Sequence, residues 1–402
     1  MDGVRVLEIG QFALVPSAAA ILADWGAEVV KIEHPVQGDP IRGLNAWGVK
    51  PGTGGFTYLW ELFNRNKRSV GIDVGTAAGR EVVLRLAEAS DVLVTSFLPS
   101  ARQRLGIDVD DVMARNPRLI YARASGQGPQ GPEADAPGFD GSSFWFRTGL
   151  AASATPADAS EPNALPGPAF GDVQLGAYLA GGIAAALFAR ERTGRGTVVD
   201  VSLLAGGMWS AQASIVGADL LGTGDLPKFG RREHARNPLT NTYRTADGRF
   251  LALMVLQSDR YWTSVCAGLG APELAEDQRF CSAEERRKHA PECIAALDQI
   301  FGRHPLSHWR AVLAEVEWPW SVVQQPAELV HDAQARANGY VQDVDYGDGR
   351  RLPMISAPIQ FGEQSPALQP APELGADTEL VLLESGYDWD EIAVLKAEQA
   401  II

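Results

Sequence analysis

Short runs dense in β-branched and aliphatic residues alternate with longer stretches of helical periodicity through the first part of the chain. Val4 to Ile9 reads as a strand, Ser17 to Trp25 as a helix and Ala27 to Ile32 as the next strand, which makes a β-α-β unit. The alternation continues with a strand at Arg68 to Asp73, a helix at Ala77 to Ala89, and strands at Asp91 to Thr95 and Arg118 to Arg123. This order predicts an α/β fold whose mostly parallel sheet is covered on both faces. Ligands bind beyond the carboxyl ends of such strands. The segments placed there are Ile32-Glu33-His34, Ser96 to Pro99 and Ser125 to Gly128. Glu33 lies where a dinucleotide fold carries its ribose-binding acid. The turn from Gly10 to Pro16 has one glycine where that fingerprint needs three, and Pro16 removes an N–H donor, so NAD binding is rejected.

From Leu175 to Phe188 nearly every position is apolar or small, a pattern that predicts a buried helix. Asp172 precedes that run. The unpaired first-turn N–H groups and the positive end of the macrodipole favour a carboxylate there, which predicts an Asp172 ionised at neutral pH. Two roles fit this position: a helix cap, or an ionised nucleophile. Leu150 to Pro168, rich in Ala, Pro and Ser, reads as an irregular connection. Gly222 to Asn237 reads as a crossing linker, and a hairpin from Thr240 to Val255, turning at Ala246-Asp247-Gly248, opens a second domain. Helices are expected near Asp259 to Leu269, after Ser282 with Glu285 completing a capping box, after Ser307, and at Asp388 to Glu398.

With 402 residues the chain exceeds one ordinary core, and two domains are expected. The net charge of -15 argues against a nucleic-acid surface. No signal peptide or membrane span is read, and three cysteines without CxxC spacing fit reduced thiols, so a cytoplasmic protein without a metal site is expected.

Several segments together resemble one family. They are Asp2 to Glu8, Gly26 to Glu33 with Gly38-Asp39, Asn64 to Ser69, Asn116 to Tyr121, the Asp172 stretch through Thr193 to Gly196, and Ser356-Ala357-Pro358. In this order they resemble the family III CoA-transferases, the CaiB/BaiF group, whose relatives include formyl-CoA and carnitine CoA-transferases and the α-methylacyl-CoA racemases. The resemblance implies a large Rossmann-like domain from residues 1–222 and 331–402, a linker and smaller α+β domain at 223–330, and an interlocked, ring-like homodimer. It implies that Asp172 attacks an acyl-CoA thioester, giving an aspartyl anhydride and then an aspartyl-CoA thioester, and that CoA passes to a free carboxylic acid. Coenzyme A is then a substrate, and no permanently bound cofactor is implied.

The family's CoA-lining positions correspond to Ala13, Leu14, His34, Ile72, Ser96, Phe97, Arg104 and Leu105, with Arg104 the natural phosphate partner. Asp140 is added as a contact to the pantetheine or acyl group, or as the residue closing a turn after Pro137-Gly138. Lys67 and Arg68 contribute positive charge nearby, or orient the strand. His34, Ala13 and Ser96 stand where the oxalate enzyme has arginine, glutamine and asparagine. That enzyme's glycine-rich loop is also absent, Arg236 to Asn241 being the corresponding region, which argues against oxalate as acceptor. Small Ala13, with Trp318, Trp320, Phe144 and Trp145, suggests a roomy apolar acyl site. The family's racemases need a histidine in a Gly-His-Asp run. This chain has Gly138-Phe139-Asp140, and Phe139 carries no proton. A non-catalytic acyl-CoA-binding protein on the same fold is the third reading.

Overall fold

The computed structural model describes residues 1–45, 48–226 and 232–402, so residues 227–231 of the expected linker lie outside the described residues. The chain forms two compact units. The larger contains Met1–Ala152, Asn163–Leu220 and Val330–Ile402, and the smaller contains Ser153–Pro162 and Leu221–Leu329.

The larger unit is built on β1 (Arg5–Ile9), α1 (Leu14–Asp24), β2 (Glu28–Glu33), α2 (Tyr58–Asn64), β3 (Arg68–Gly71), α3 (Ala77–Glu88), β4 (Val92–Thr95), α4 (Pro99–Leu105), α5 (Val109–Arg115) and β5 (Ile120–Ser125). After the short α6 (Leu150–Ala154) come the long α7 (Phe170–Thr193), β6 (Val198–Ser202) and α8 (Leu203–Leu221). The six strands run parallel in the order β3-β2-β1-β4-β5-β6, the doubly wound arrangement in which strand order reverses between β1 and β4. The side chains explain why both faces are covered. Val6, Val29, Val92, Val94 and Ile120 face a core with α1 and α7, while Leu7, Ile32, Val70, Leu93 and Tyr121 face α3, α5 and the C-terminal helices.

α7 departs from the expectation of a helix buried all round. Leu175, Leu179, Ile183, Leu187 and Arg190 are buried at helical spacing, but Tyr178 and Phe188 are 49% and 64% exposed. Among the described residues it is the one helix long and apolar enough to cross a bilayer, and its buried face packs on α1 and the sheet. The close approach to α1 depends on Gly176, where a Cβ would lie 2.7 Å from the Ser17 Cβ.

The smaller unit carries an antiparallel sheet of β7 (Thr240–Arg244), β8 (Phe250–Met254) and β9 (Trp320–Val322), packed by α9 (Ser258–Gly268), α10 (Glu273–Glu276), α11 (Ala283–Lys288), α12 (Ala290–Phe301) and α13 (Leu306–Leu313). The expected hairpin turns at Gly248, and Ser282 caps α11 by accepting the Glu285 N–H. α14 (Pro326–Leu329) ends this unit.

The chain then returns to the larger unit through α15 (Ala333–Ala337), the antiparallel pair β10 (Val341–Asp345) and β11 (Arg351–Ile355), α16 (Thr378–Glu384) and α17 (Trp389–Ala397). The Ser356-Ala357-Pro358 segment is tied to α1 by the Ala357 N–H on the Asp24 carboxylate at 3.0 Å, a carboxylate that also holds the Arg65 guanidinium.

Beneath the carboxyl ends of β1 and β2 lies a buried ion cluster. Lys31 donates to Glu8 at 2.8 Å and to the Gly10 carbonyl at 2.9 Å, and its Nζ lies 2.9 Å from Asp39. Lys67 donates to the other Glu8 oxygen at 2.6 Å and to the Pro16 carbonyl at 3.0 Å. The Glu33 carboxylate, read in the sequence as the ribose-binding candidate, is bound instead by Arg42 and Ser69. Lys67 is thus an interior residue, and Arg68 pairs with Glu28 and Glu384 at the sheet edge, so neither supplies charge to a ligand cavity. Removing one partner of a buried pair leaves uncompensated charge. Glu8→Gln should therefore lower the thermal unfolding midpoint by about 5 °C or more, and Glu8→Gln with Lys67→Met should recover part of the loss, as read by calorimetry.

Candidate active site

α7 starts abruptly. Ala169 adopts a left-handed backbone conformation with φ 58°, and Phe170, Gly171 and Asp172 form the first turn. Its free N–H groups are met by Asp140, the first residue of a π-helical turn from Asp140 to Phe146. The Asp140 Oδ1 accepts the Gly171 N–H at 3.0 Å and the carboxylate also takes the Phe170 N–H. Asp140 thus caps the helix, and Asp172 does not. Gly171 makes this possible, because a Cβ there would stand 2.4 Å from the Phe144 ring and 2.7 Å from Asp140 Oδ1.

The Asp172 carboxylate takes no hydrogen bond from the described residues and lines a cavity of about 460 Å³. Burial first, and the neighbouring Asp140 second, push its pKa up to about 7. The expectation of a fully ionised Asp172 is corrected accordingly. Asp140 has already claimed the helix-end donors that would hold a negative charge, and burial favours the protonated form of Asp172 well above the ordinary carboxylate range. Asp140 itself is raised by burial, against the pull of two backbone N–H groups, and its Oδ2 is buried without a partner.

The cavity sits where strand order reverses. Its walls come from Gln11 to Leu14 after β1, Ser96 to Leu98 with Ser100, Ala101 and Arg104 after β4, and Ser125 and Gly126 at the end of β5. Pro137 to Phe139, Asp172 and Leu203 complete it. A second cavity of about 210 Å³ shares Gln11 and Phe97 with the first and is otherwise formed at and after the ends of β1, β2 and β3 and by Leu105 of α4. His34, Ile72 and Leu105 line this one. The His34 Nδ1 accepts the N–H groups of Val36 and Gln37, leaving Nε2 to face Asp73 at 4.0 Å.

Of the residues singled out in the sequence, Ala13, Leu14, Ser96, Phe97, Arg104 and Asp172 therefore meet in one cavity, and His34, Ile72, Phe97 and Leu105 in its neighbour. Asp140 is a correction: it lines neither, because its carboxylate is turned onto the start of α7. The proposed acyl-site wall is also corrected. Phe144 and Trp145 belong to the core beneath α7, and Trp318 is buried in the core of the smaller unit, with Trp320 packed against it. The aromatic residues that line the Asp172 cavity are Phe12, Phe97 and Phe139 instead. Phe12 and Gln11 escaped sequence reading, since nothing local marks a phenylalanine held at φ 64°. The run Ser125-Gly126 with Pro137-Gly138 did carry a signal: a Cβ on Gly126 would lie 2.6 Å from the Gly138 Cα, so the two loops meet only as glycines. Among the described residues no group of three or more His, Cys, Asp or Glu is arranged to hold a metal ion.

The family model for CoA-transferase family III matches residues 1–378. The chain belongs to this family. It is 31% identical to the (R)-2-hydroxy-4-methylpentanoate CoA-transferase of Clostridioides difficile, covering all of this chain and 99% of that one. It is 29% identical to the cinnamoyl-CoA:phenyllactate CoA-transferase of Clostridium sporogenes, covering all of this chain and 97% of that one. The crystal structure of a CaiB/BaiF family protein from Brucella suis superposes with a TM-score of 0.81 at 27% identity, over 96% of this chain and 98% of that one. The protein is an enzyme, a family III CoA-transferase that moves CoA from an acyl-CoA thioester to a carboxylic acid. The racemase reading loses its second proton carrier, since no histidine is among the described residues lining the Asp172 cavity.

A carboxyl whose folded-state pKa is raised binds protons more tightly folded than unfolded, so its presence lowers stability as pH rises from its ordinary range to about 7. Asp172→Asn should raise the unfolding midpoint at pH 8 by about 2 °C or more, with the gain shrinking to nothing near pH 4. Parallel thermal melts of both proteins across this range check it, and a gain independent of pH would contradict a raised Asp172 pKa as its cause.

Proposed function

We propose that Asp172 is the covalent nucleophile of the CoA transfer and that the larger unit binds the coenzyme. The observation that carries this reading is a carboxylate relieved of helix capping by Asp140 and presented on the wall of the cavity at the strand-order reversal. In the first step a carboxylate oxygen of Asp172 attacks the thioester carbonyl. The C–S bond breaks, CoA leaves as the thiolate and a mixed anhydride forms. The thiolate then attacks the aspartyl carbonyl of the anhydride, releasing the donor acid and leaving an aspartyl-CoA thioester. The acceptor carboxylate attacks that thioester, a second anhydride forms, and the thiolate returns to the acceptor's acyl carbon. Asp172 is regenerated as the carboxylate. Each intermediate keeps the free energy of the thioester away from water.

The two cavities suit the two ends of the coenzyme. Ile32, Ile72, Val74, Phe97 and Leu105 supply an apolar slot beside His34 for the nucleoside, and Arg104 supplies a guanidinium for phosphate. Ala13, Leu14, Ser96 and Phe97 line the path towards Asp172. A second copy is part of the proposal. The exposed apolar side chains of α7 and α8, among them Phe188, Met208, Trp209, Val216 and Leu220, are more than a solvated helix pair presents, and an interlocked homodimer would cover them. A cytoplasmic setting fits Cys266, Cys281 and Cys293, all free thiols.

The nucleophile must be ionised, so CoA exchange should rise with pH through about 7 and then level off. Asp140→Asn removes the neighbouring like charge and should shift that acid limb to lower pH. Asp172→Asn should cut exchange by about a thousandfold or more, and wild type mixed with acyl-CoA should show an added mass on the peptide holding Asp172. Exchange that survives Asp172→Asn would overturn the assignment. Light scattering on the eluting protein should give twice the chain mass, and a monomer would remove the interlocked dimer from the proposal.

A further inference from the structure

The charge on the cavity wall is sparse. Among the described residues that line it, Asp172 and Arg104 are the only charged side chains. With CoA bound as proposed, Arg104 serves the coenzyme's phosphates. A dicarboxylic acid whose reacting carboxylate lay against Asp172 would bring its second carboxylate out of water with no cation to meet it.

Two of the lining residues, Phe12 and Phe139, are aromatic and in mutual contact. The rings of Phe12 and Phe139 meet edge to face, with centroids 5.4 Å apart and planes at 88°. Phe12 is held there against its own backbone preference. Its φ of 64° is costly for a bulky residue, and the loop keeps it because the Phe12 N–H donates to Asp39 Oδ1 at 3.1 Å. Phe139 is 60% exposed, a large apolar ring left open at a cavity wall. The turn does not need that ring. Its backbone N–H donates to Ser142 Oγ at 3.0 Å and its carbonyl accepts the Ser143 N–H at 2.8 Å. Ala124, Pro137 and Leu203 extend the apolar surface.

We infer that the acids exchanged are hydrophobic monocarboxylates with an aryl or branched-alkyl tail, and that Phe12 and Phe139 form the surface that selects the tail. This rests on the assignment of Asp172 as the acyl acceptor. The test follows CoA exchange from acetyl-CoA to 3-phenylpropionate, 4-methylpentanoate, succinate and glutarate, with the reverse transfer to acetate alongside. Wild type should favour the first two acids over the dicarboxylates by about tenfold or more in kcat/KM. Phe139→Ala should lower kcat/KM for 3-phenylpropionate by about tenfold while leaving acetate within about twofold. Phe139→Arg supplies the missing cation and should raise succinate relative to 3-phenylpropionate. A wild-type preference for dicarboxylates, or an equal loss for acetate and 3-phenylpropionate in Phe139→Ala, overturns the inference. Calorimetric binding of the same free acids to the wild type with CoA present is measured in parallel. If no acid accepts CoA yet the binding order holds, the Asp172 mechanism fails and this selectivity stands. If exchange proceeds with the order reversed, the selectivity fails and the mechanism stands.

Discussion

Two lysine ammonium groups share one glutamate in the interior of the larger unit, and the ligand-facing loops hang from that arrangement. Glu8, Lys31 and Lys67 have fully buried side-chain ends. Burial opposes every one of these charges, and what decides each balance is the company. Around Lys31, the carboxylates of Glu8, Asp39 and Glu33 outweigh burial and raise its pKa, whereas at Lys67 burial prevails and pulls it down to about 8. Burial also works against Glu8, yet the two ammonium groups hold its pKa below the ordinary range. Such a cluster is stable only when complete, because each member is the others' counter-charge. Its geometric effect reaches further than its energy. The ammonium groups grip the Gly10 carbonyl, at the start of the loop after β1, and the Pro16 carbonyl, in the first turn of α1 beyond it.

The same cluster sets the strained backbone at the site. Asp39, paired with Lys31, accepts the N–H groups of Phe12 and Ile41, and Glu33 holds both the Asp39 N–H and the Arg42 guanidinium, which stacks 3.4 Å over the Trp60 ring. Trp60 lies in a small hydrophobic cluster with Ala13, Ile41, Leu59 and Phe63, and Ala169 packs against it. Phe12 and Ala169, both non-glycine residues in left-handed conformations, are therefore held around one buried assembly. One precedes α1 and the other starts α7. A catalytic geometry built this way is fixed before substrate arrives, which is where preorganisation gains over a flexible loop.

Much of this was legible in the residues. The strand-helix alternation of the first part of the chain predicts the parallel sheet, and the boundaries read there fall within a few residues because Gly10 and Thr76 mark turns in the ordinary way. The loops at His34, Ser96 and Ser125 followed from the rule that in a parallel sheet the ligand lies past the carboxyl ends of the strands, whereas Asp172 was marked by its place before an apolar helix and, with Ala13, Leu14 and Arg104, by the family resemblance. What stayed hidden depends on contacts between distant segments. The turn of the Asp140 carboxylate onto α7 needs a π-helical stretch that no periodicity announces, and the partition of Phe144 and Trp145 into the core depends on which face of that stretch meets α7. Lys67 read as positive charge near the ligand or as a residue orienting the strand, since its partner Glu8 lies 59 residues earlier in the chain. The aromatic wall sought in Trp318, Trp320, Phe144 and Trp145 is not at the cavity, because all four pack in hydrophobic cores. Composition could not say that Phe139, dismissed as a proton carrier, would be the ring that faces the cavity.

The two aspartates at the start of α7 divide one task that sequence reasoning gave to a single residue. A helix end in a buried site offers unpaired N–H donors, and whichever carboxylate accepts them is stabilised as an anion and weakened as a nucleophile. Here the carboxylate from a different segment, Asp140, takes the Gly171 and Phe170 donors, and Asp172 keeps its oxygens for the cavity. The arrangement has a cost, since two carboxyls brought together out of water each become harder to ionise. On the proposed mechanism that cost is a chemical gain, because a carboxylate with a raised pKa is a stronger base and a stronger nucleophile than one satisfied at its ordinary value. Capping and nucleophilicity compete for the same lone pairs, and with Asp172 as the proposed nucleophile the two roles fall to two side chains that lie 32 residues apart in sequence but meet at one helix turn.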